Sequence, residues 1–188
     1  MIQNPIILSI ESSSGLCGVG LSFGTELIAE YCFFKTNSHD KLLAEFIQRI
    51  LIDADLSLDN IDAVALSAGP GSFTGLRIGA ALAKGLCFSG KPKLISIPTL
   101  EALAFSILEP ANKSKCKAIL AIVQSHKDYI YIQEFDLEGK PISEVKYIKK
   151  NDLDKIINNE CYLITSDLTI DNNSIYNMSR LCPPAAAI

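Results

Sequence analysis

A glycine-rich turn that leads into a helix of small residues constrains the fold of this chain more than any other stretch. It runs from Ser67 to Gly85 and reads SAGPGSFTGLRIGAALAKG. The residues AVALS, from Ala63 on, are typical of a strand that is buried on both faces. The chain can turn sharply after them, because glycine takes positive φ and Pro70 has a fixed φ and no amide hydrogen. The stretch therefore predicts a strand, a tight turn and a helix.

The start of that helix has the makings of an anion site, because free amides and the positive end of the helix dipole meet there. The candidate anion or nucleotide contacts, at this turn and at the end of the first strand, are Glu11, Ser12, Gly71, Ser72, Thr74 and Arg77. Neither the P-loop nor the dinucleotide-binding pattern is present, since no Gly-Lys-Ser/Thr follows and Thr74 stands where the dinucleotide fingerprint has its last glycine. Phosphate binding and a purely structural turn both remain open.

The helix itself carries small residues on one side. Gly75, Gly79 and Ala83 are spaced four apart, so they share a face with almost no side-chain volume. Each glycine costs about 1 kcal/mol in a helix interior relative to alanine. Close approach of another segment would offset that cost, either inside the fold or across a subunit interface.

Composition sets the broad class of protein. With 188 residues, of which 48% are hydrophobic and 20% charged, the chain is globular and long enough for a sizeable core. Its formal net charge of −4 predicts poor binding of nucleic acid by this chain alone. The sequence has no apolar run of membrane-spanning length and no signal-peptide pattern at MIQNPIILSI, so we expect a cytoplasmic protein without membrane contact. Its six scattered cysteines are expected to be free thiols.

The order of predicted elements repeats along the chain. The first half contains strands at 6–11, 17–23 and 26–34, a helix at 40–55, a strand at 63–67, a helix at 74–88, a strand at 94–97 and a helix at 98–108. The second half restarts with strands at 117–123, 129–136 and 142–148, a helix at 152–158 and a strand at 161–165. This order is typical of the ribonuclease H-like fold. We therefore predict an α/β protein with the actin-like fold: duplicated βββαβα lobes at 1–108 and 117–188, the second shortened, with a linker at 109–116.

The residues that this fold would need for catalysis are largely missing. A two-metal nuclease needs clustered carboxylates, but the strand that should supply the third ends in Ser67. The two histidines, His39 and His126, cannot form an H-x-x-x-H metal pair. We predict no catalytic residue and no metal site.

Four segments carry a family resemblance: SAGPGSFTGLRIGAALAKGL, IESSSGLCGVGLS, SHDKLLAEF and IPTLEALA. Together they closely resemble the TsaB (YeaZ) family, which takes part in making threonylcarbamoyladenosine at position 37 of tRNA. The resemblance implies a non-catalytic scaffold that pairs with the paralogue TsaD, which carries the metal and active site. It also implies docking of the ATPase TsaE on that pair, a homodimer when the chain is alone, and contact with tRNA only through the complex. No cofactor is expected, with ATP and magnesium bound only within the complex.

The resemblance also implies where partners bind. The family contact uses the first two helices, which match residues 38–55 and 74–88. The implied interface residues are Leu42, Leu43, Phe46, Ile50, Arg77, Gly79, Ala80, Ala83 and Lys84.

Three departures from the family pattern concern the first hairpin, the second lobe and the chain end. Glu11 stands where the family usually has Asp, and Val123-Gln124-Ser125-His126 stands where the second lobe commonly has an Asp-Ala-Arg turn. The chain ends at CPPAAAI, where members continue, so we expect an incomplete second lobe. An independent actin-like ATPase, kinase or glycoprotease-like enzyme is the alternative function. Two features argue against it: the first hairpin is a poor match to the magnesium- and phosphate-binding hairpin of such ATPases, and the H-x-x-x-H histidine pair is missing.

Overall fold

The computed structural model describes residues 4–34, 39–88, 90–113, 116–157, 162–166 and 176–177. The described residues up to Pro98 form one compact unit, and those from Thr99 on form a second. The predicted domain boundary was residue 108. The observed division comes ten residues earlier because the helix Thr99–Phe105 packs on the sheet of the second unit.

The first unit is a five-stranded sheet with two long helices. Its elements are β1 (Ile6–Glu11), β2 (Leu16–Phe23), β3 (Glu26–Phe34), α1 (His39–Asp53), β4 (Ala63–Ser67), α2 (Phe73–Cys87) and β5 (Lys93–Ile97). The strand order is β3-β2-β1-β4-β5, in which β1 is antiparallel to β2 and parallel to β4. Three strands have the predicted bounds, β1, β3 and β4. Residue 38, where the predicted contact helix begins, lies outside the described residues.

The core of the first unit lies between the helices and one face of this sheet. Alternate residues of β1 and β4 face α1 and α2, since successive side chains of a strand point to opposite faces. The buried members of this cluster are Leu8, Ile10, Cys17, Val19, Leu21, Leu43, Ile47, Ile50, Ile61, Val64, Leu66 and Ala83. Burial of one such large aliphatic side chain contributes about 1.5–3 kcal/mol. This cluster therefore fixes which faces of α1 and α2 point inward.

The second unit repeats the topology of the first. Its elements are α3 (Thr99–Phe105), α4 (Leu108–Lys113), β6 (Ala118–Gln124), β7 (Tyr129–Phe135), β8 (Lys146–Lys149), α5 (Leu153–Ile157), β9 (Tyr162–Ser166) and β10 (Tyr176–Asn177). Its strand order, β8-β7-β6-β9-β10, matches β3-β2-β1-β4-β5, including the antiparallel and parallel pairings. The predicted duplicated, actin-like fold is confirmed by this match.

Three local features of the second unit differ from the sequence prediction. Helix α4 covers most of the predicted linker 109–116. Strand β8 begins at Lys146, four residues later than predicted. A two-residue strand, β10, follows the last predicted strand and pairs in parallel with β9.

Both faces of the second sheet carry buried apolar side chains. On one face, Leu100 and Leu103 of α3 pack with Ile119 and Phe135. The other face holds a cluster that includes Leu153 of α5. Among the described residues, no helix is both long enough and apolar enough to cross a membrane.

Candidate functional site

The hairpin between β1 and β2 lies against the start of α2. The hydroxyl of Ser12 donates a hydrogen bond to the carbonyl oxygen of Gly75, 2.9 Å away. The amide of Ser72 donates to the carbonyl oxygen of Ser13 at 2.6 Å. Gly69, with φ of 105°, takes a backbone conformation that favours glycine, and the turn it begins brings α2 onto the hairpin.

Glycines in this turn and helix make the contact possible. A Cβ atom added at Gly71 would come closer than 3.0 Å to the carbonyl oxygen of Ser13, and one at Gly79 closer than 3.0 Å to Oγ of Ser12. Two packed segments cannot tolerate such distances without moving apart. The side of α2 that carries Gly75, Gly79 and Ala83, here called the small face, therefore packs against the β1–β2 hairpin of the same chain. Of the two alternatives left by the sequence, close approach inside the fold is the one observed.

Glu11 is fully buried at the end of β1. Its Oε1 accepts hydrogen bonds from the amide and the hydroxyl of Ser13, both at 2.5 Å. Burial, with a smaller contribution from the negative charge of Glu11, raises the pKa of the Cys17 thiol to about 11. The carboxylate therefore holds the turn of its own hairpin.

The candidate anion contacts fall into two groups. Glu11, Ser12 and Gly71 lie at the contact between hairpin and helix. Ser72, Thr74 and Arg77 are exposed on α2. The Ser72 hydroxyl caps the helix by accepting a hydrogen bond from the amide of Gly75 at 3.3 Å.

Arg77, the cationic residue among the exposed candidate anion contacts, lies against a neighbouring aromatic ring. The guanidinium of Arg77 lies over the ring of Phe73, 5.4 Å from its centroid. No group of three or more His, Cys, Asp or Glu side chains that could hold a metal ion occurs in the described part of the chain.

Four residues of the implied partner interface lie in the core of the first unit. Leu43, Ile50 and Ala83 are 0% exposed, and Gly79 is buried against Ser12. The expectation that these four contact a partner is corrected, because the sheet and the hairpin already cover that side of α1 and α2.

The other implied interface residues are partly or fully exposed. Leu42, Phe46 and Ala80 are half-buried and pack against the core cluster. Arg77 and Lys84 are exposed. Of the implied set, only these five can contribute to a surface contact.

Sequence reasoning missed the exposed aromatic residues of α2. The side chain of Phe73 is 74% exposed and that of Phe88, the C-terminal cap, is 92% exposed. Residues 73, 77, 81, 84 and 88 lie on one side of the helix, opposite the small face, because they follow helical spacing. We call these five residues, Phe73, Arg77, Ala81, Lys84 and Phe88, the outer face of α2. Helical spacing could have identified this face from the sequence, as the side of the helix opposite Gly75, Gly79 and Ala83.

Comparison with known proteins places this fold in a family. A family model described as TsaD, tRNA N6-adenosine threonylcarbamoyltransferase, matches residues 35–171. The chain belongs to this family. The tRNA threonylcarbamoyladenosine biosynthesis protein TsaB of Haemophilus influenzae is 30% identical over 133 residues, which are 71% of this chain and 55% of that protein. TsaB of Escherichia coli is 29% identical over 136 residues, 72% of this chain and 57% of that protein.

A solved structure agrees with these relatives. YeaZ from Pseudomonas aeruginosa superposes with a TM-score of 0.81 and covers 97% of this chain and 88% of that one, at 18% identity. The resemblance to TsaB (YeaZ) is thereby confirmed. The chain spans about half the length of the curated TsaB relatives that it matches.

Proposed function

We propose that this chain is a non-catalytic subunit of the machinery that makes threonylcarbamoyladenosine in tRNA, and that it binds a TsaD-type paralogue through the outer face of α2. The TsaB relatives and the TsaD family model support the pathway. The observation that carries the contact is the pair of exposed rings, Phe73 and Phe88, on one helix face. Large exposed apolar side chains grouped on one face mark interaction surfaces.

The chemistry of the outer face indicates how a partner would pack. Ala81 lies between the two rings and leaves room for a partner side chain or helix to approach. Arg77 and Lys84 add positive charge beside the aromatic residues. Aromatic residues and Arg are enriched in specific interfaces, and here Arg77 and Lys84 lie between the two rings along the helix. The partner surface should therefore offer apolar contacts for Phe73 and Phe88 and acidic groups between them for Arg77 and Lys84.

The geometry of the first hairpin supports the absence of catalysis. Actin-like proteins hold magnesium and nucleotide at this hairpin, but these residues do not fit such a group. The Ser12 hydroxyl is directed at Gly75, the Ser13 carbonyl fills the space beside Gly71, and Glu11 holds Ser13. We therefore propose that ATP and magnesium bind only elsewhere in the assembled complex.

Further partners follow from the family resemblance. In this proposal a TsaE-type ATPase docks on the heterodimer, and tRNA reaches the chain through the complex. Alone, the chain forms a homodimer through the same face. The complex works in the cytoplasm, where tRNA is modified.

Association is the direct test. The purified chain is mixed with the TsaD-type paralogue from the same organism, and the products are analysed by size-exclusion chromatography with light scattering. We expect a complex of one copy of each. Two separate peaks at micromolar concentrations would refute the proposal, as would tight binding and turnover of magnesium-ATP by this chain alone in a calorimetric titration.

A further inference from the structure

Three tyrosine rings contact one another on one face of β7 and β8, where the ring of Tyr147 stacks on that of Tyr129 and is tilted by 40° to that of Tyr131. The ring of Tyr147 lies 4.9 Å from that of Tyr129, at 14° between planes, and 4.8 Å from that of Tyr131. Tyr147 is 51% exposed. In the strand register, Tyr131 pairs with Tyr147 and Tyr129 pairs with Lys149. Directly paired residues project from the same face of a sheet, so Lys149 lies on the tyrosine side.

Two lysines flank this stack. Lys149 is exposed opposite Tyr129, and Lys127 is exposed in the turn that precedes Tyr129. Neither ammonium forms an ion pair with any carboxylate that the structure describes. The nearest acids in the sequence are Asp128, in the same turn, and Asp152, whose carboxylate pairs with Lys155 at 2.6 Å. Lys155 and, to a smaller extent, the charge of Lys149 lower the pKa of Asp152. This end of the face is therefore cationic as well as aromatic.

Hydrogen bonds from the side-chain amide of Gln124 fix the turn that carries Lys127. The side-chain nitrogen of Gln124 donates to the carbonyl oxygen of Lys127 at 2.6 Å, and also reaches those of Ser125 and Tyr129. The backbone that presents the lysine is thus fixed by contacts within the second unit. Little ordering would be needed when a ligand binds.

Stabilisation of the sheet edge explains only part of this arrangement. Cross-strand aromatic pairs strengthen a strand pair, which accounts for the three rings. Stabilisation of the sheet edge does not require lysines at positions 127 and 149. The other face of β8 shows the contrast, because Lys146 there pairs with Glu134 at 3.7 Å. Cations on the tyrosine side are left available for an anion.

We propose that this surface, formed by Lys127, Tyr129, Tyr131, Tyr147 and Lys149 and here called the tyrosine surface, binds a single-stranded segment of RNA. Each nucleotide offers a planar base for stacking and a phosphate for a lysine, which is the combination that single-strand binding proteins recognise. The choice of RNA over a free nucleotide rests on the proposed function, since the complex acts on tRNA. With a net charge of −4, the chain binds RNA weakly, and the contact adds to those made by its partner.

The test uses the full chain and a fluorescein-labelled oligoadenylate, followed by fluorescence anisotropy at low salt. We expect Tyr129→Phe to bind as the wild type does, because the ring remains. Tyr129→Ala should weaken binding about fivefold or more, since one base loses its stacking partner. Lys149→Ala should weaken binding and lower the salt dependence by roughly one phosphate contact. Lys146→Ala, on the opposite face of the same strand, is the matched control and should have no effect.

The remaining outcomes decide against the proposal. Equal binding by Tyr129→Ala and Tyr129→Phe, or equal losses from Lys146→Ala and Lys149→Ala, would show that the tyrosine surface does not bind RNA. Competition by AMP at the same concentration of nucleotide would show a mononucleotide site instead. Circular dichroism of each variant reports its folding. Association of the same variants with the TsaD-type paralogue is measured in parallel, so a failure of this inference stays distinct from a failure of the proposed function.

Discussion

Ser12 occupies the space that a side chain at Gly79 would need. Its hydroxyl donates to the carbonyl oxygen of Gly75, one helical turn before Gly79, and an added Cβ at position 79 would lie closer than 3.0 Å to that hydroxyl oxygen. The first hairpin and α2 are therefore matched in shape, and the outward direction of Phe73 and Phe88 follows from this match.

Replacement of Gly79 should destabilise the protein. We expect Gly79→Ala to lower the free energy of unfolding by about 1–3 kcal/mol, which is typical of an overfilled core. Gly85→Ala is the matched control in the same helix, because no atom lies within 4 Å of its added Cβ. It should raise stability by about 0.5–1 kcal/mol through helix propensity. Urea denaturation followed by circular dichroism measures both.

A double-mutant cycle tests whether Ser12 is the reason that Gly79→Ala destabilises the protein. When Ser12→Ala removes the hydroxyl, the contact nearest to an added Cβ at Gly79 becomes the Cβ of residue 12 at 3.6 Å, an ordinary distance. Gly79→Ala should then cost less in the Ser12→Ala background than in the wild type. Strict additivity of the two changes would show that Gly79 is small for another reason.

The cysteines should differ in reactivity. Cys17 is fully buried and its pKa is raised to about 11, whereas Cys32 is exposed on β3. At about pH 8, iodoacetamide should modify Cys32 in the native protein and leave Cys17 unmodified, since the thiolate is the reactive form. Mass spectrometry of peptides measures the labelling, and urea provides the unfolded control. Rapid native labelling of Cys17 would contradict the buried position of the first hairpin.

A surface cluster that joins Tyr31 of β3 to Arg49 and Asp53 of α1 predicts a pH effect. The hydroxyl of Tyr31 and then the guanidinium of Arg49 hydrogen-bond the Asp53 carboxylate and lower its pKa below the ordinary value of 3.8. A lowered folded-state pKa adds stability above the unfolded value, which is lost as the pH falls through the folded value. Tyr31→Phe should therefore raise the pKa of Asp53 in a carbon-13 NMR titration. An unchanged titration would show that the hydroxyl has no such role.

The strands of the first unit could be predicted from the sequence because their signals are local. Turn residues bound the apolar runs of β1, β3 and β4, and the observed bounds agree with the prediction. The division between the units could not be found in this way. The apolar residues of α3 satisfy the same helical pattern whichever sheet they cover, and only the packing of Leu100 and Leu103 assigns them to the second unit.

The direction of α2 was the main error at the candidate site. Spacing shows that Gly75, Gly79 and Ala83 share a face, but it does not show what that face meets. An amphipathic helix usually buries its large apolar residues. Here the small residues are buried, because the hairpin comes close, and Phe73 and Phe88 point outward. A contact between residues 63 apart in sequence, Ser12 and Gly75, decides this direction.

The affinity of the chain for its TsaD-type paralogue, measured by isothermal titration calorimetry, tests the role of the outer face of α2 most directly. Ala81→Arg places a long cation between Phe73 and Phe88, where Arg77 and Lys84 already supply positive charge. It should weaken binding at least about tenfold, as expected when an interface centre is disrupted. Asn112→Arg, on the exposed side of α4, is the matched control and should bind as the wild type does. Equal affinities for wild type and Ala81→Arg, with both folded, would show that the partner binds elsewhere.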